Sequence, residues 1–221
     1  RNDKVEAIDT FTVKMRDLPM DSLKLSTSVS GKFNFEDTFS ILANTPIVAL
    51  DTSQVALNIS DSIPMSYSYV LDTLKNKIDF DFEAEPNQKY SFSLMPGAIT
   101  DFFGMQNDTL AYNLSTGSFA DYGNLRMILG GDVTYPIVVQ LTNEKGVVQR
   151  EIIASEEQTF EFKHLNPGNY VARVIFDSNG NGKWDTGNYL KKQQPEKISY
   201  YPGTIEIRAN WEKEETFILS N

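Results

Sequence analysis

Residues 177–187, Asp177-Ser178-Asn179-Gly180-Asn181-Gly182-Lys183-Trp184-Asp185-Thr186-Gly187, are the only run in the chain with the residue types and spacing of a defined chemical site. Oxygen-bearing side chains recur at Asp177, Asn179, Asn181 and Asp185, and Gly182 follows the third. That is the spacing of an EF-hand-type calcium loop. Positions 1, 3, 5 and 9 of such a loop give side-chain oxygens, and position 7 gives a backbone carbonyl, here that of Lys183. Carboxylate and amide oxygens suit a hard cation because they replace its water shell, and the small residues between the aspartates let the backbone curl around it. Position 12 departs from the pattern: Asn188 stands where a bidentate Glu belongs, unless Glu196 folds back to replace it. So few charges imply weak Ca2+ binding, roughly 10⁻⁴ to 10⁻³ M, and a structural ion with no catalytic role. The alternative is a metal-free turn in which Asn and Asp side chains bond the backbone.

The elements around this loop read as strands. Tyr170-Val171-Ala172-Arg173-Val174-Ile175-Phe176 is β-branched and aromatic, unlike the helix that flanks an EF-hand. Apolar residues alternate at Phe11, Val13 and Met15, with Leu18-Pro19-Met20-Asp21 as a connection to a second strand bearing Leu23, Leu25, Thr27 and Val29. The period of two continues through Val55-Leu57-Ile59, Tyr67-Tyr69-Leu71, Ile78-Phe80-Phe82, Tyr90-Phe92-Leu94 and Leu110-Tyr112-Leu114. It resumes at Leu125-Met127-Leu129, Ile137-Val139-Leu141 and Phe160-Phe162. Turn clusters at Asn44-Thr45-Pro46, Glu85-Pro86-Asn87, Met95-Pro96-Gly97 and Asn143-Glu144-Lys145-Gly146 separate the runs. The expectation is an all-β chain of two consecutive β-sandwich domains, over 31–118 and 123–219. Residues 1–30 form an N-terminal hairpin that either completes the first sandwich or belongs to a neighbouring domain.

Composition narrows the function. The 221 residues carry a net charge of −10, which disfavours nucleic acid as a partner because phosphate binding needs a basic footprint. There is no Cys, so thiol nucleophiles, disulfides and thiolate zinc sites are excluded. No apolar run approaches the ~20 residues a transmembrane helix needs. The chain opens at Arg1 with no signal-peptide pattern, as a processed product or a piece of a longer protein would.

Several motifs carry a family resemblance. Lys89 to Gly104, with Met95-Pro96-Gly97 and Asp101-Phe102-Phe103-Gly104, followed by Leu114-Ser115-Thr116-Gly117, resembles the end of bacterial Ig-like domains. Leu165-Asn166-Pro167-Gly168-Asn169-Tyr170, a strand, and then the 177–185 loop resemble prealbumin-like (transthyretin-like) modules, including the B-type repeats of collagen adhesins. No secure Lys–Asn–Glu trio is present for the isopeptide bond many such repeats contain. The ending, through Tyr200-Tyr201-Pro202 and Ile207-Arg208-Ala209-Asn210-Trp211-Glu212, is similar to that of a group of Bacteroidota surface lipoproteins. This resemblance implies a cell-surface location on the outer face of the outer membrane, reached through an N-terminal lipid anchor that this chain does not contain. It also implies partners among other outer-membrane or surface proteins.

The remaining candidates have plainer readings. His164 lacks a signalled nucleophile and orienting partner, and reads as an ordinary turn residue. Paired carboxylates for glycoside hydrolysis cannot be located by spacing alone, and no phosphate loop or nucleophile elbow is present, so no catalytic residue is assigned. Trp184, Tyr189, Tyr200, Tyr201 and Trp211 concentrate near the C-terminus. Trp184 is the best candidate for ligand contact, by stacking on a sugar or at a protein interface, whereas Trp211 and Tyr170 read as core. Asp-Ser/Thr-aliphatic triplets place Ser22, Ser62, Thr73 and Thr109 in sequences that resemble the O-glycosylation sequon of Bacteroidota envelope proteins; strand-end turns are the alternative. The functional expectation is a non-enzymatic cell-surface interaction or structural module, an accessory subunit of an outer-membrane assembly. The competitors are a carbohydrate-binding module using the C-terminal aromatics and a hydrolase fragment.

Overall fold

A computed structural model describes residues 10, 12, 22–60 and 62–219. The Phe11-Val13-Met15 strand and its connection through Leu18 to Asp21 lie outside the described residues. The remaining alternation becomes strands almost everywhere, in two groups with separate cores.

The first group holds β1 (Leu25–Thr27), β2 (Gly31–Lys32), β3 (Phe39–Ala43), β4 (Ile47–Leu50), β5 (Val55–Ile59) and β6 (Ile63–Pro64). It continues with β7 (Ser68–Asp72), β8 (Lys77–Asp81), β9 (Lys89–Leu94), β10 (Ile99–Asp101) and β11 (Leu110–Ser115). One sheet runs β1-β3-β8-β7, the facing sheet runs β2-β11-β9-β5-β6, and β4 pairs with β10 at one end. Inward residues of each strand sit two apart, so Phe39, Ile41, Ile78 and Phe80 of one sheet meet Leu57, Tyr90, Phe92, Leu94 and Leu114 of the other. The rings interlock across the gap, Phe80 on Phe92 at 4.7 Å and Phe39 on Phe92 at 4.9 Å. Each fully buried Phe contributes about 1.5–3 kcal/mol by leaving water. β1 is antiparallel to β3, and Leu23, Leu25 and Val29 pack on this core, so residues 22–30 are built into the first sandwich.

The second group holds β12 (Gly123–Gly131), β13 (Ile137–Thr142), β14 (Val148–Ala154) and β15 (Phe160–Leu165). It ends with β16 (Gly168–Phe176), β17 (Ile198–Tyr200), β18 (Ile205–Ile207) and β19 (Glu212–Leu219). Sheet β15-β12-β19 packs on sheet β14-β13-β16-β17, with β18 also paired to β16. Leu125, Met127, Phe160, Phe162 and Phe217 face Ile137, Val139, Leu141, Ala172 and Val174.

The turn motifs fold as their residue types require. Asp51 caps a short 3-10 turn at Thr52–Gln54, its carboxylate accepting from Ser53 N. Gly97, Gly104 and Gly146 all sit at positive φ, which costs glycine nothing. Thr116 ties the end of β11 down: its hydroxyl accepts from Gln88 N at 3.0 Å and donates to Glu85 O at 2.5 Å. Both sandwiches also fasten a tyrosine hydroxyl to nearby upstream backbone. Tyr90 Oη accepts from Glu85 N at 2.7 Å, and Tyr170 Oη donates to Asn166 O at 2.7 Å.

Two core assignments need correction. Tyr170 is buried, as expected, but Trp211 lies half exposed with the Arg208 guanidinium 4.7 Å over its ring. Its indole stacks under a cation at the surface instead of filling the core. Tyr69 is also exposed although Tyr67 and Leu71 pack inward, because β7 is the last strand of its sheet.

Candidate metal centre and inter-sandwich junction

β16 runs straight into the 177–187 loop, and Asp177 is carried inward, 1% exposed. Its Oδ1 accepts from Gly180 N at 2.8 Å and Asn181 N at 3.1 Å, and its Oδ2 accepts from Gly182 N at 2.7 Å. Gly180 and Gly182 both have φ +72, so the chain can wind around this carboxylate. Asn179 Oδ1 accepts from Asn181 N at 3.0 Å, and Asn181 Oδ1 from Lys183 N at 2.8 Å. Both amide groups turn their nitrogens onto one atom: Asn179 Nδ2 and Asn181 Nδ2 donate to Asp185 Oδ2. Three of the five expected positions, Asn179, Asn181 and Asp185, therefore meet through side chains, Asp177 is enclosed by backbone amides, and Lys183 joins through its N–H rather than the expected carbonyl.

Glu196 folds back onto the loop. Its Oε1 accepts from Ser178 N at 2.8 Å and Ser178 Oγ at 2.9 Å, and its Oε2 accepts from Asp185 N at 3.0 Å. Trp184 Nε1 donates to Glu196 O at 3.0 Å. Asn188, at the twelfth position, turns away and accepts from Lys191 N. Glu196 thus replaces Asn188 as the residue that closes the loop.

The residues of the loop can offer only oxygens as ligands, which fits a hard cation rather than a soft one. No Lys or Arg side chain pairs with Asp177, Asp185 or Glu196 among the described residues. Three carboxylates thus share one loop without a compensating cation. They do not stand close together: among the described residues no three His, Cys, Asp or Glu form a group that could hold a metal. The Asn179 and Asn181 amide oxygens accept from backbone N–H groups while their nitrogens face Asp185, so a cation would require both amides to turn over.

The loop also roofs part of the sheet beneath it. Ile153, Val138, Ile175 and Ile198 are register partners across β14, β13, β16 and β17 on the face turned away from the main core. Val138 and Ile175 are nonetheless buried, and a Cβ on Gly182 would meet Ile153 Cδ1 at 2.8 Å. Within the loop Trp184 is 44% exposed, and beyond it Tyr189 and Leu190 stand out at 95% and 91%.

A second cluster joins the two sandwiches, and it corrects the reading of His164. The chain's single His lies within strand β15, at φ +51, rather than in a turn, and it is the hub of the junction. Its Nδ1 lies 2.9 Å from Glu36 Oε1, and its carbonyl accepts from Asn34 Nδ2 at 2.8 Å. Its ring stacks on Phe119 and tilts against Phe35, both at 5.0 Å, with Tyr122 at 6.3 Å. Arg150 Nη2 pairs with Asp37 Oδ1 at 3.3 Å, and Lys32 Nζ lies 5.4 Å above the Tyr122 ring. Burial raises the Tyr122 phenol above its ordinary range, and the Asp121 and Asp37 charges add to this. Sequence reasoning missed this cluster because its halves lie about 130 residues apart, as the Asn34–His164 bond shows. The one available signal was an aromatic residue between charges in Phe35-Glu36-Asp37.

The glycosylation candidates Ser22, Ser62, Thr73 and Thr109 are all exposed, and Asp61 lies outside the described residues. Asp72 accepts from Leu74 N and Lys75 N, so that triplet forms an Asx turn.

No family model and no curated protein matches this chain. Among solved structures it is similar to the Bacillus anthracis TIE protein, at 12% identity and TM-score 0.28, over 92% of this chain and 41% of that one. It is also similar to the N-terminal part of the bacterial S-layer protein SbsC, at 7% and 0.40, over 88% and 44%. A third is BcpA, the major pilin subunit of Bacillus cereus, at 8% and 0.28, over 91% and 70%. The chain spans less than half the length of the first two.

Proposed function

We propose that the chain is a non-enzymatic structural and interaction module, displayed at a bacterial cell surface as an accessory part of an outer-membrane assembly. The observation that carries this reading is the junction around His164 and Phe35, which fastens two β-sandwiches through ring contacts and two ion-pair geometries. A spacer must hold its two ends in fixed relation, and such a joint does so. The motif resemblance to Ig-like and prealbumin-like modules of surface lipoproteins supports the location. The 177–185 loop is assigned to a structural Ca2+ held by Asp177, Asn179, Asn181, the Lys183 carbonyl and Asp185. Its support is the spacing, the all-oxygen donor set and the three carboxylates without a counter-cation.

The test is capture of the partner. Tagged chain incubated with native envelope and cross-linked should retain a stoichiometric outer-membrane protein. Turnover of an ester, glycoside or peptide substrate that one point substitution abolishes would replace this reading with an enzyme.

A carbohydrate-binding reading is favoured by one observation, the exposure of both Tyr189 and Trp184. Retardation in polysaccharide-containing gels that Trp184→Ala removes would establish it.

A further inference from the structure

We propose that the second sandwich is built to carry tension applied between its two ends. Its first strand, β12, and its last, β19, lie side by side and parallel, in register from Asn124↔Glu212 to Gly131↔Leu219, eight pairs without a shift. Parallel neighbours start at the same end. The chain therefore enters the pair at Gly123 and leaves it at Leu219, at opposite ends of a ladder about 26 Å long at roughly 3.3 Å per residue. Pulling the termini apart slides one strand lengthwise along the other. Every rung is then loaded at once, whereas pulling two adjacent strand ends apart breaks the rungs one after another.

Side chains reinforce the same seam. Asn124 Nδ2 donates to Glu212 Oε1 at 2.5 Å, and Arg126 Nη1 pairs with Glu214 Oε2 at 3.3 Å. Tyr201 Oη donates to Glu215 Oε2 at 2.7 Å, bracing β19 from behind, and Phe217 and Leu219 are buried in the core. Two backbone bonds extend the seam past the entry point, Asn124 N to Trp211 O and Asn210 N to Tyr122 O, both at 2.8 Å.

The first sandwich has only a short parallel seam, made by its second described strand, while β1 pairs antiparallel with β3. Its β2 runs parallel to β11 through only two pairs, Gly31↔Leu114 and Lys32↔Ser115, with Phe33 N donating to Ser115 O just beyond. Under a common load the first sandwich yields before the second. This inference deepens the structural part of the reading above and does not involve the calcium loop. Partner capture and mechanical resistance can therefore fail separately.

The experiment is single-molecule force spectroscopy on the full chain. The chain contains no cysteine, so one introduced thiol gives a unique attachment point. In the first geometry, handles at the two termini shear the β12–β19 pair. In the second, handles at Thr134→Cys, in the exposed turn after β12, and at the C-terminus peel the same pair from one end. The expected result is an unfolding force for the second sandwich at least twofold higher in the first geometry, preceded by a weaker step from the first sandwich. Asp132→Cys, one residue beyond β12, repeats the second geometry should Thr134→Cys lower the melting temperature. Equal forces in the two geometries overturn the proposal, as does a second sandwich that breaks before the first.

Discussion

His164 Nδ1 and Glu36 Oε1 meet at 2.9 Å although the two residues belong to different sandwiches. The contact is set within a nest of Phe35, Phe119 and Tyr122, so ring packing and polar contact act on one joint. Phe35→Ala empties the nest and should cost about 1–3 kcal/mol, in the range for a partly buried aromatic. Scanning calorimetry should then show two separated transitions where the parent chain melts in one. A variant that still melts as a single unit at the parent temperature sinks the claim that this joint couples the cores.

Asp101 makes a pH prediction. Burial pushes its carboxyl up, but hydrogen bonds from Thr45 Oγ1 and the Met105 and Phe103 amides outweigh this and hold it below the ordinary Asp value. A carboxyl whose folded-state pKa is depressed stabilises the fold above its unfolded value, and that contribution is lost as pH falls through the folded one. The parent melting temperature should therefore drop on acidification from about pH 5 downward more steeply than that of Asp101→Asn. Parallel curves for the two proteins would contradict the assignment.

Calcium should stabilise only the folded chain. With a dissociation constant near 10⁻³ M, about 10 mM Ca2+ adds roughly 1.4 kcal/mol, by mass action. Thermal melts with excess Ca2+ and with chelator should differ accordingly, and Asp177→Ala should remove the difference. Glu196→Gln should reduce it, because Glu196 closes the loop in place of Asn188. Superimposable melts of the parent chain leave a metal-free turn.

Gly182 has two reasons to be glycine, its φ of +72 and the Ile153 methyl 2.8 Å from where a Cβ would stand. Gly182→Ala should cost about 1–3 kcal/mol in denaturant titration. Adding Ile153→Ala should recover the steric share but not the backbone share. Strictly additive losses in the double variant would show that the loop does not rest on that side chain.

Much of this architecture was legible as period two, because a half-buried strand must alternate. Leu125-Met127 and Tyr90-Phe92-Leu94 fall on core faces as their spacing predicts. Strand β13 shows where the pattern fails: Ile137 through Thr142 are all buried. Its second face is closed partly by the loop, and a segment covered on both sides carries no alternation to read. The contacts among Asn179, Asn181 and Asp185 were legible because their spacing is local. Glu196 could be named only conditionally, since nothing local makes a residue eleven positions after Asp185 turn back. The His164 nest was invisible for the same reason on a larger scale, as contact between Phe35 and His164 exists only after both sandwiches have formed.

The sheet order decides where copies of this protein could stack into fibrils. The five-stranded sheet of the first sandwich ends in β2 and β6, each two residues long, and β6 includes Pro64, which has no amide hydrogen to offer. Borders β1 and β17 are only three residues long, and the longer borders β14, β15 and β19 carry charges at Arg150 and Glu151, at Glu161 and Lys163, and at four positions of Glu212–Glu215. That leaves β7, reached through the uncharged run Ser66-Tyr67-Ser68-Tyr69-Val70-Leu71, with Tyr69 and Val70 turned outward. A low-charge aromatic border of this kind nucleates cross-β growth. Lys75, within the next turn, and Lys77, at the start of β8, place charge beside this border, the position of gatekeeper residues.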